Sequence, residues 1–322
     1  MNRESVISLL GSDWSRYEAL VREALQSDID LLNSVNSSLL SASGKQLRPM
    51  LALLVARACG TVSEDTLRSA ATCELLHNAS LIHDDVADES STRRGKPTVS
   101  AFMGPSAAVL VGDFWLARTV SMVTTMEHRD RIIPLFAKTL SDLAEGEMLQ
   151  LQKAGTADTT EEDYLRIVYC KTASLFEVTC SSAAITVDAP AELLEAAGRY
   201  GVATGIAFQI RDDIFDFRDD AAIGKPVGID LKEQKITLPL LGALKGVADE
   251  APYREMVRQI PERPENCERL RRFALEHGGV EYASGRLEDY INEALAALEV
   301  FPPSEERDIL AELARYNAIR RK

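Results

Sequence analysis

Two segments of the chain carry the same arrangement of carboxylates. Within Leu75 to Asp88, Asp84, Asp85 and Asp88 stand at i, i+1 and i+4, and within Gly205 to Asp216 the spacing recurs as Asp212, Asp213 and Asp216. On a helix, at about 100° per residue, each trio spans an arc of roughly 100°. Three carboxylates then face nearly the same way. Like charges at this spacing repel and weaken a helix, so something must compensate them. Divalent cations do this, and magnesium in particular is a hard ion that takes carboxylate oxygens together with waters and substrate phosphates. One such cluster alone would more readily read as a solvated acidic turn. The same spacing on two apolar segments points instead to metal ions holding a diphosphate. Neither cluster continues into an EF-hand loop, and the chain has no Walker-A loop, GxGxxG or HExxH.

The cations are placed to match. Gly44-Lys-Gln-Leu-Arg-Pro49 sets Lys45 and Arg48 three apart at an expected helix start, where backbone N–H groups also favour anions. Arg93 and Arg94 follow the first cluster, and an arginine fork suits bidentate phosphate contact. Lys171-Thr172 opens a further helical stretch, and Lys225 and Lys235 follow the second cluster. His77 lies seven residues before Asp84, on the same helix face, which favours a role at the site over that of a core histidine. His83 has no such support and is read as structural.

These residues need helices to carry them. Apolar side chains recur at helical spacing, as in the run Leu67, Ala70, Ala71, Glu74, Leu75, Asn78, Leu81 and Ile82, and alternating strand patterns are nearly absent. The class is all-α, with about ten to thirteen helices. Breaks fall at Ser41–Gly44, Gly60–Ser63, Arg94–Pro97, Gly155–Thr160, Asp188–Pro190, Ala222–Gly228, Pro261–Pro264 and Pro302–Ser304. The Ala-rich, weakly charged stretch Ala191 to Phe217 predicts a helix covered on all sides. With no Pro/Ser-rich linker or charge shift, residues 1–322 read as one domain.

Composition narrows the partners. Thirty-six basic against fifty acidic residues give a net charge of −14, which argues against nucleic acid and anionic membrane surfaces. No signal peptide is visible, and apolar windows such as Met50–Ala58 and Ala107–Ala117 fall short of the roughly 20 residues of a span. Five cysteines without a CxxC pair read as reduced, buried thiols in a cytoplasmic protein.

The combination GKQLRP, HDDVADESSTRRGKPT, KTASLF, FQIRDDIFDF and GKPVGIDLKEQKITLP resembles the trans-isoprenyl diphosphate synthases, and among them the long-chain polyprenyl branch, from Gly44 to about Pro239. The resemblance implies the isoprenoid synthase fold, a large bundle around a deep central cavity, and a homodimer. It implies that Lys45, Arg48, His77 and Arg94 bind isopentenyl diphosphate. Arg93, Lys171, Thr172, Gln209, Lys225 and Lys235 would surround an allylic diphosphate held by both aspartate motifs through three magnesium ions, Asp88 and Asp216 acting partly through water. Asp84, Asp85, Asp212, Arg93 and Lys171 are then the catalytic set. Leu240 to Lys322 carries no recognised motif and reads as cladding.

The chemistry expected is ionisation of the allylic diphosphate, attack by the double bond of isopentenyl diphosphate, and loss of a proton to the released diphosphate, with water excluded. Ser80 lies four residues, about one turn, below Asp84 on nearly the same face. It is small. Short-chain members tend to carry bulky residues at Ala79 and Ser80, so this pair implies a channel open to a long product. Phe136, on the helix of Ile132 to Leu151, is the candidate floor. A short-chain synthase, a terpene cyclase and a non-catalytic subunit of a heteromeric synthase are the alternatives. A cyclase has no need of the Lys45, Arg48 and His77 set, and non-catalytic subunits typically lose aspartates.

Overall fold

The computed structural model describes residues 3–42, 44–218 and 228–319. These are almost wholly helical. In chain order the helices are α1 (Arg3–Leu10), α2 (Ser12–Ala24), α3 (Asp30–Ser41), α4 (Leu47–Cys59), α5 (Glu64–Ala87), α6 (Val99–Met103), α7 (Pro105–Thr124), α8 (Arg129–Thr156) and α9 (Glu161–Val168). They continue as α10 (Ser174–Ile185), α11 (Ala191–Phe217), α12 (Ile229–Lys232), α13 (Leu238–Leu244), α14 (Ala251–Arg258), α15 (Glu265–Glu276), α16 (Gly279–Leu298) and α17 (Glu305–Ile319). A π-turn, Tyr169–Ala173, joins α9 to α10, and two two-residue strands, β1 (Thr92–Arg93) and β2 (Lys96–Pro97), form a hairpin.

The expected breaks are helix ends: α3 stops at Ser41, Ser63 caps α5, Thr160 caps α9, and α11 spans Ala191–Phe217 as expected. Most of Ala222–Gly228 lies outside the described residues. Among the described residues, seventeen α-helical segments exceed the ten to thirteen helices expected. Glycines with positive φ split the surplus pairs, Gly11 between α1 and α2 and Gly104 between α6 and α7. Lys171-Thr172 does not start a helix. It sits inside the π-turn, within a continuous helical run.

The chain divides into two compact units. The first comprises Met1–Phe136, Val178–Ala197 and Phe301–Leu310, and the second Ala137–Glu177, Gly198–Val300 and Ala311–Lys322. In the first, α5 packs against α2, α4 and α7. Its N-terminus is closed by a capping box between Ser63 and Thr66. Buried hydroxyl pairs, Thr66 with Thr186 at 2.8 Å and Ser69 with Ser182 at 2.7 Å, tie it to the end of α10. His83 fits its ring over Gly112 of α7 and hydrogen-bonds the Val109 carbonyl at 3.3 Å, the structural role expected of it. Cys73 and Cys180 are buried thiols, and the five cysteines are free.

Helix α7 corrects one expectation. Its 20 residues, with mean hydropathy 1.3, are long and apolar enough to cross a membrane by length and composition, because Pro105 and Thr124 extend the Ala107–Ala117 window at both ends. Trp115 and Val111 are buried, while Val109, Leu110 and Val120 are exposed.

In the second unit, no residue from Tyr200 to Phe217 is exposed. Ala173, Ile210, Ile214 and Phe217 share a core with Leu238, Leu241 and Ala283. Helix α11 reaches the π-turn through two glycines. A Cβ on Gly205 would lie 2.6 Å from the Ala173 Cα, and one on Gly201 would lie 2.6 Å from the Phe176 carbonyl oxygen. Alanine gains about 1 kcal/mol over glycine inside a helix, but here the obstacle is backbone and overpacking costs about 1–3 kcal/mol. Gly205→Ala is therefore expected to destabilise by up to about 2 kcal/mol, read as a lower midpoint in urea, and a raised midpoint would refute this close packing.

Candidate active site

Helix α4 begins at Leu47 behind Gln46, whose backbone is left-handed (φ 51°) and whose side chain does not cap the helix. Lys45 and Arg48 thus flank a helix start, as expected. Arg94 joins them from the hairpin. Its own φ of 52° and the 75° of Gly95 make the two-residue turn between β1 and β2, the positive-φ pair that suits the strand twist. The Arg94 guanidinium lies over Gly44, where a Cβ would stand 2.6 Å from its Cζ, and donates to the Ala42 carbonyl at 3.2 Å.

Electrostatics show that Arg48, His77, Arg93 and Arg94 share one neighbourhood. Burial pushes the Arg48 guanidinium down to about 10, with Glu74 opposing and Arg94 adding to the shift. Burial, then the charges of Arg48, Arg94 and Arg93, hold the His77 imidazole well below its usual value. Glu74 is buried, and its carboxyl is raised by burial while Arg48, Asn78 and Arg94 oppose. Glu74 was not anticipated. It is the counter-charge that lets two guanidiniums sit here.

The first aspartate cluster ends the same helix. Asp85 is buried and accepts from Arg93 Nε at 2.7 Å. Burial raises its carboxyl, Arg93 opposes, and Asp88 adds repulsion. Asp84 is half-buried, and Asp88, exposed, caps α5. One turn below Asp84, Ser80 donates to the His77 carbonyl at 2.9 Å beside the buried Ala79, and Phe136 is buried on α8.

In the second unit the π-turn presents Lys171 and Thr172. Lys171 pairs closely with Glu147. Thr172 donates to Gln209 Oε1 at 2.9 Å, and Gln209 Nε2 donates to Asp213 Oδ1 at 2.8 Å. Tyr164 completes the set, donating to Asp213 Oδ2 at 2.6 Å. Asp213 is 2% exposed, and burial, with repulsion from Asp230, drives its carboxyl far up. Asp230 is itself raised to about 6, by burial and then by Asp216. Asp216 accepts from the Ile229 and Asp230 amides at 3.0 and 3.1 Å, capping α12. Asp212 is half-buried. Lys235 pairs closely with Glu233 and sits near Asp230. Lys225 lies outside the described residues. Glu147, Tyr164 and Asp230 also escaped the sequence reading.

Whether magnesium suits these residues is a question of donors. The ligands offered are carboxylate oxygens, the hard type the ion prefers. Asp213 is buried and Asp230 half-buried, the charge of Asp230 acts on Asp213, and burial makes their charged forms costly. Among the described residues, however, no group of three His, Cys, Asp or Glu side chains is close enough to hold a metal alone. The residues therefore fit an ion that completes its shell with waters and a substrate diphosphate.

A depressed His77 has a measurable consequence. The folded chain binds this proton less readily than the unfolded chain, so its contribution to stability is present above the ordinary value of about 6.5 and is lost as pH falls below it. Between about pH 7.5 and about pH 5.5 the wild-type urea midpoint should fall relative to His77→Gln, by roughly 1 kcal/mol. Parallel pH profiles would contradict a neutral, buried imidazole.

Comparison with known proteins agrees with the geometry. Residues 29–274 match the polyprenyl synthetase family. The chain is 38% identical over 320 residues to octaprenyl diphosphate synthase of Escherichia coli, covering 98% of each chain. Among solved structures, it superposes with a TM-score of 0.92 on a decaprenyl diphosphate synthase from Rhodobacter capsulatus, at 35% identity and 99% coverage of both chains. It also superposes, at 0.89 and 32% identity, on a Caulobacter crescentus polyprenyl synthase complexed with calcium and isoprenyl diphosphate, covering 100% of this chain and 98% of that one. The chain belongs to the polyprenyl synthetase family of trans-isoprenyl diphosphate synthases, and is a prenyltransferase with the all-α isoprenoid synthase fold.

Proposed function

We propose that this chain lengthens an allylic diphosphate, such as farnesyl diphosphate, with isopentenyl diphosphate to a long all-trans polyprenyl diphosphate, and that residues 1–322 act as one catalytic domain. The observation that carries the reading is the convergence of Arg48, His77, Arg93 and Arg94 beside the Asp84–Asp85 pair, on a chain that retains all six aspartates. A terpene cyclase has no use for the first of these groups. A non-catalytic subunit has no use for the second.

Lys45, Arg48 and Arg94 would hold the diphosphate of isopentenyl diphosphate, with His77 as a neutral hydrogen-bonding group that adds no charge. Arg93, Lys171, Thr172, Gln209, Lys225 and Lys235 would surround the allylic diphosphate. Asp84, Asp85, Asp212 and Asp213 would hold magnesium, with Asp88 and Asp216 acting through water. Bound magnesium, three ions by family analogy, would supply charge neutralisation to the departing diphosphate. Arg93 and Lys171 would stabilise the same leaving group as the C–O bond breaks and an allylic cation forms. The isopentenyl double bond then attacks that cation. A proton leaves to the released diphosphate, and the chain is longer by one isoprene unit. The solved relative complexed with calcium and isoprenyl diphosphate supports the use of a divalent ion.

Assay of the purified chain with farnesyl and isopentenyl diphosphates, products read by mass spectrometry, tests this. Turnover should vanish on chelation and return with magnesium, and Asp84→Ala or Asp212→Ala should cost several kcal/mol of barrier, orders of magnitude in rate. Products should approach the octaprenyl and nonaprenyl lengths of the similar synthases. Ser80→Phe should shorten them and Phe136→Ala lengthen them. A wild type that stops at farnesyl diphosphate, or either aspartate variant at normal rate, defeats the proposal.

The homodimer expected of the family would cover the exposed face of α7, where Leu110 is 68% and Val120 50% exposed. Burying such side chains is worth about 25 cal/mol per Å² of apolar surface. Sedimentation should give a dimer mass, and Leu110→Asp should shift it toward monomer.

A further inference from the structure

Lys171 is held in three ways, all within the second unit. The π-turn Tyr169–Ala173 widens the helix at this residue. Gly146 of α8 lies against its stem, so that a Cβ there would stand 2.6 Å from the Cys170 Cβ and 2.9 Å from the Lys171 Cγ. The ammonium itself meets the carboxylate of Glu147, the next residue of α8. Glu147 also accepts from the Gln150 amide at 3.3 Å.

The next residue, Thr172, is fixed by Gln209. The backbone is therefore anchored, and only the flexible end of the lysine is free to change partner. Both ends of the ion pair are reachable from solvent, with side chains 27% and 31% exposed. A single pair at that exposure is worth about 1 kcal/mol or less. A diphosphate, with several charged oxygens, outcompetes one carboxylate for an ammonium.

We propose that Glu147 is a positioning residue that competes with diphosphate for Lys171: it holds the ammonium in the empty site and takes it back as the released diphosphate departs. The proposal rests on the reading of Lys171 as a contact of the allylic diphosphate. A synthase of long chains releases one diphosphate for every unit added, so this exchange recurs throughout elongation. Glu147 would shorten the residence of each product diphosphate.

The test is calorimetric titration of the full chain with inorganic diphosphate and magnesium, comparing wild type, Glu147→Gln, Glu147→Asp, Lys171→Ala and the Glu147→Gln/Lys171→Ala double variant. Glu147→Gln should bind inorganic diphosphate about fivefold more tightly. Its KM for the allylic substrate should fall, its kcat should fall as product lingers, and its KM for isopentenyl diphosphate should stay. Glu147→Asp, which keeps the charge, should return toward wild type. On the Lys171→Ala background, Glu147→Gln should change nothing, because the competitor has lost its target. Unchanged or weaker binding in Glu147→Gln overturns the proposal. So does an equal tightening on the Lys171→Ala background, which would mark a general field effect. If Lys171→Ala alone leaves diphosphate affinity intact, the placement of Lys171 at the allylic diphosphate fails first.

Discussion

A carboxylate withdrawn from water demands a partner, and two apolar helices of this chain withdraw several. Asp85 and Asp213 are both under a tenth exposed. An isolated buried charge would cost far more than a domain's net stability. The elements around them answer that demand separately. The hairpin after α5 returns Arg93 to Asp85, the π-turn sets Thr172 against Gln209 and so Gln209 against Asp213, and the first amides of α12 come to Asp216. The hairpin and the π-turn also carry cations expected at a diphosphate, Arg94 and Lys171.

Much of this was legible in residue type and spacing. The helical class, the ends of α3, α5, α9 and α11, the glycine-flanked start of α4 and both aspartate trios follow from local pattern, because caps, prolines and the 3.6-residue period act over a few residues. What stayed hidden acts at a distance or leaves no period. The π-turn inserts one residue into a helix without breaking it, so Lys171-Thr172 reads as a helix start. Glu147 lies 24 residues from its lysine, and Tyr164 lies 49 from Asp213. Glu74 was within reach. It and Asn78 are the polar members of an otherwise apolar stripe on α5, and a buried acid in such a stripe signals a buried base nearby.

The two units solve the charge problem by different means. Around α5 the answer is ionic: Asp85 has Arg93, and Glu74 has Arg48 and Arg94 in its field. Around the end of α11 it is neutral: Asp213 has a phenol and an amide, and the charge that acts on it most is that of another carboxylate, Asp230. Burial outweighs the partners in both places, since Asp85 and Glu74 are raised as well, and at the end of α11 repulsion from Asp230 adds to the rise of Asp213. A divalent cation reverses that balance where a hydrogen bond cannot.

The same accounting explains a net charge of −14 on a protein whose substrates are anions. The long-range field repels a diphosphate, but beyond a Debye length, about 8 Å at physiological ionic strength, exposed charges are largely screened. Around the half-buried His77 the screening is weaker, and the local set counts. There burial first, and the charges of Arg48, Arg94 and Arg93 second, hold the His77 imidazole well below its usual value. A protonated imidazole would add a fourth repelling cation to a half-buried cluster. Left neutral, the imidazole adds nothing to the repulsion among the arginines, and burial and those arginines act on its proton in the same direction.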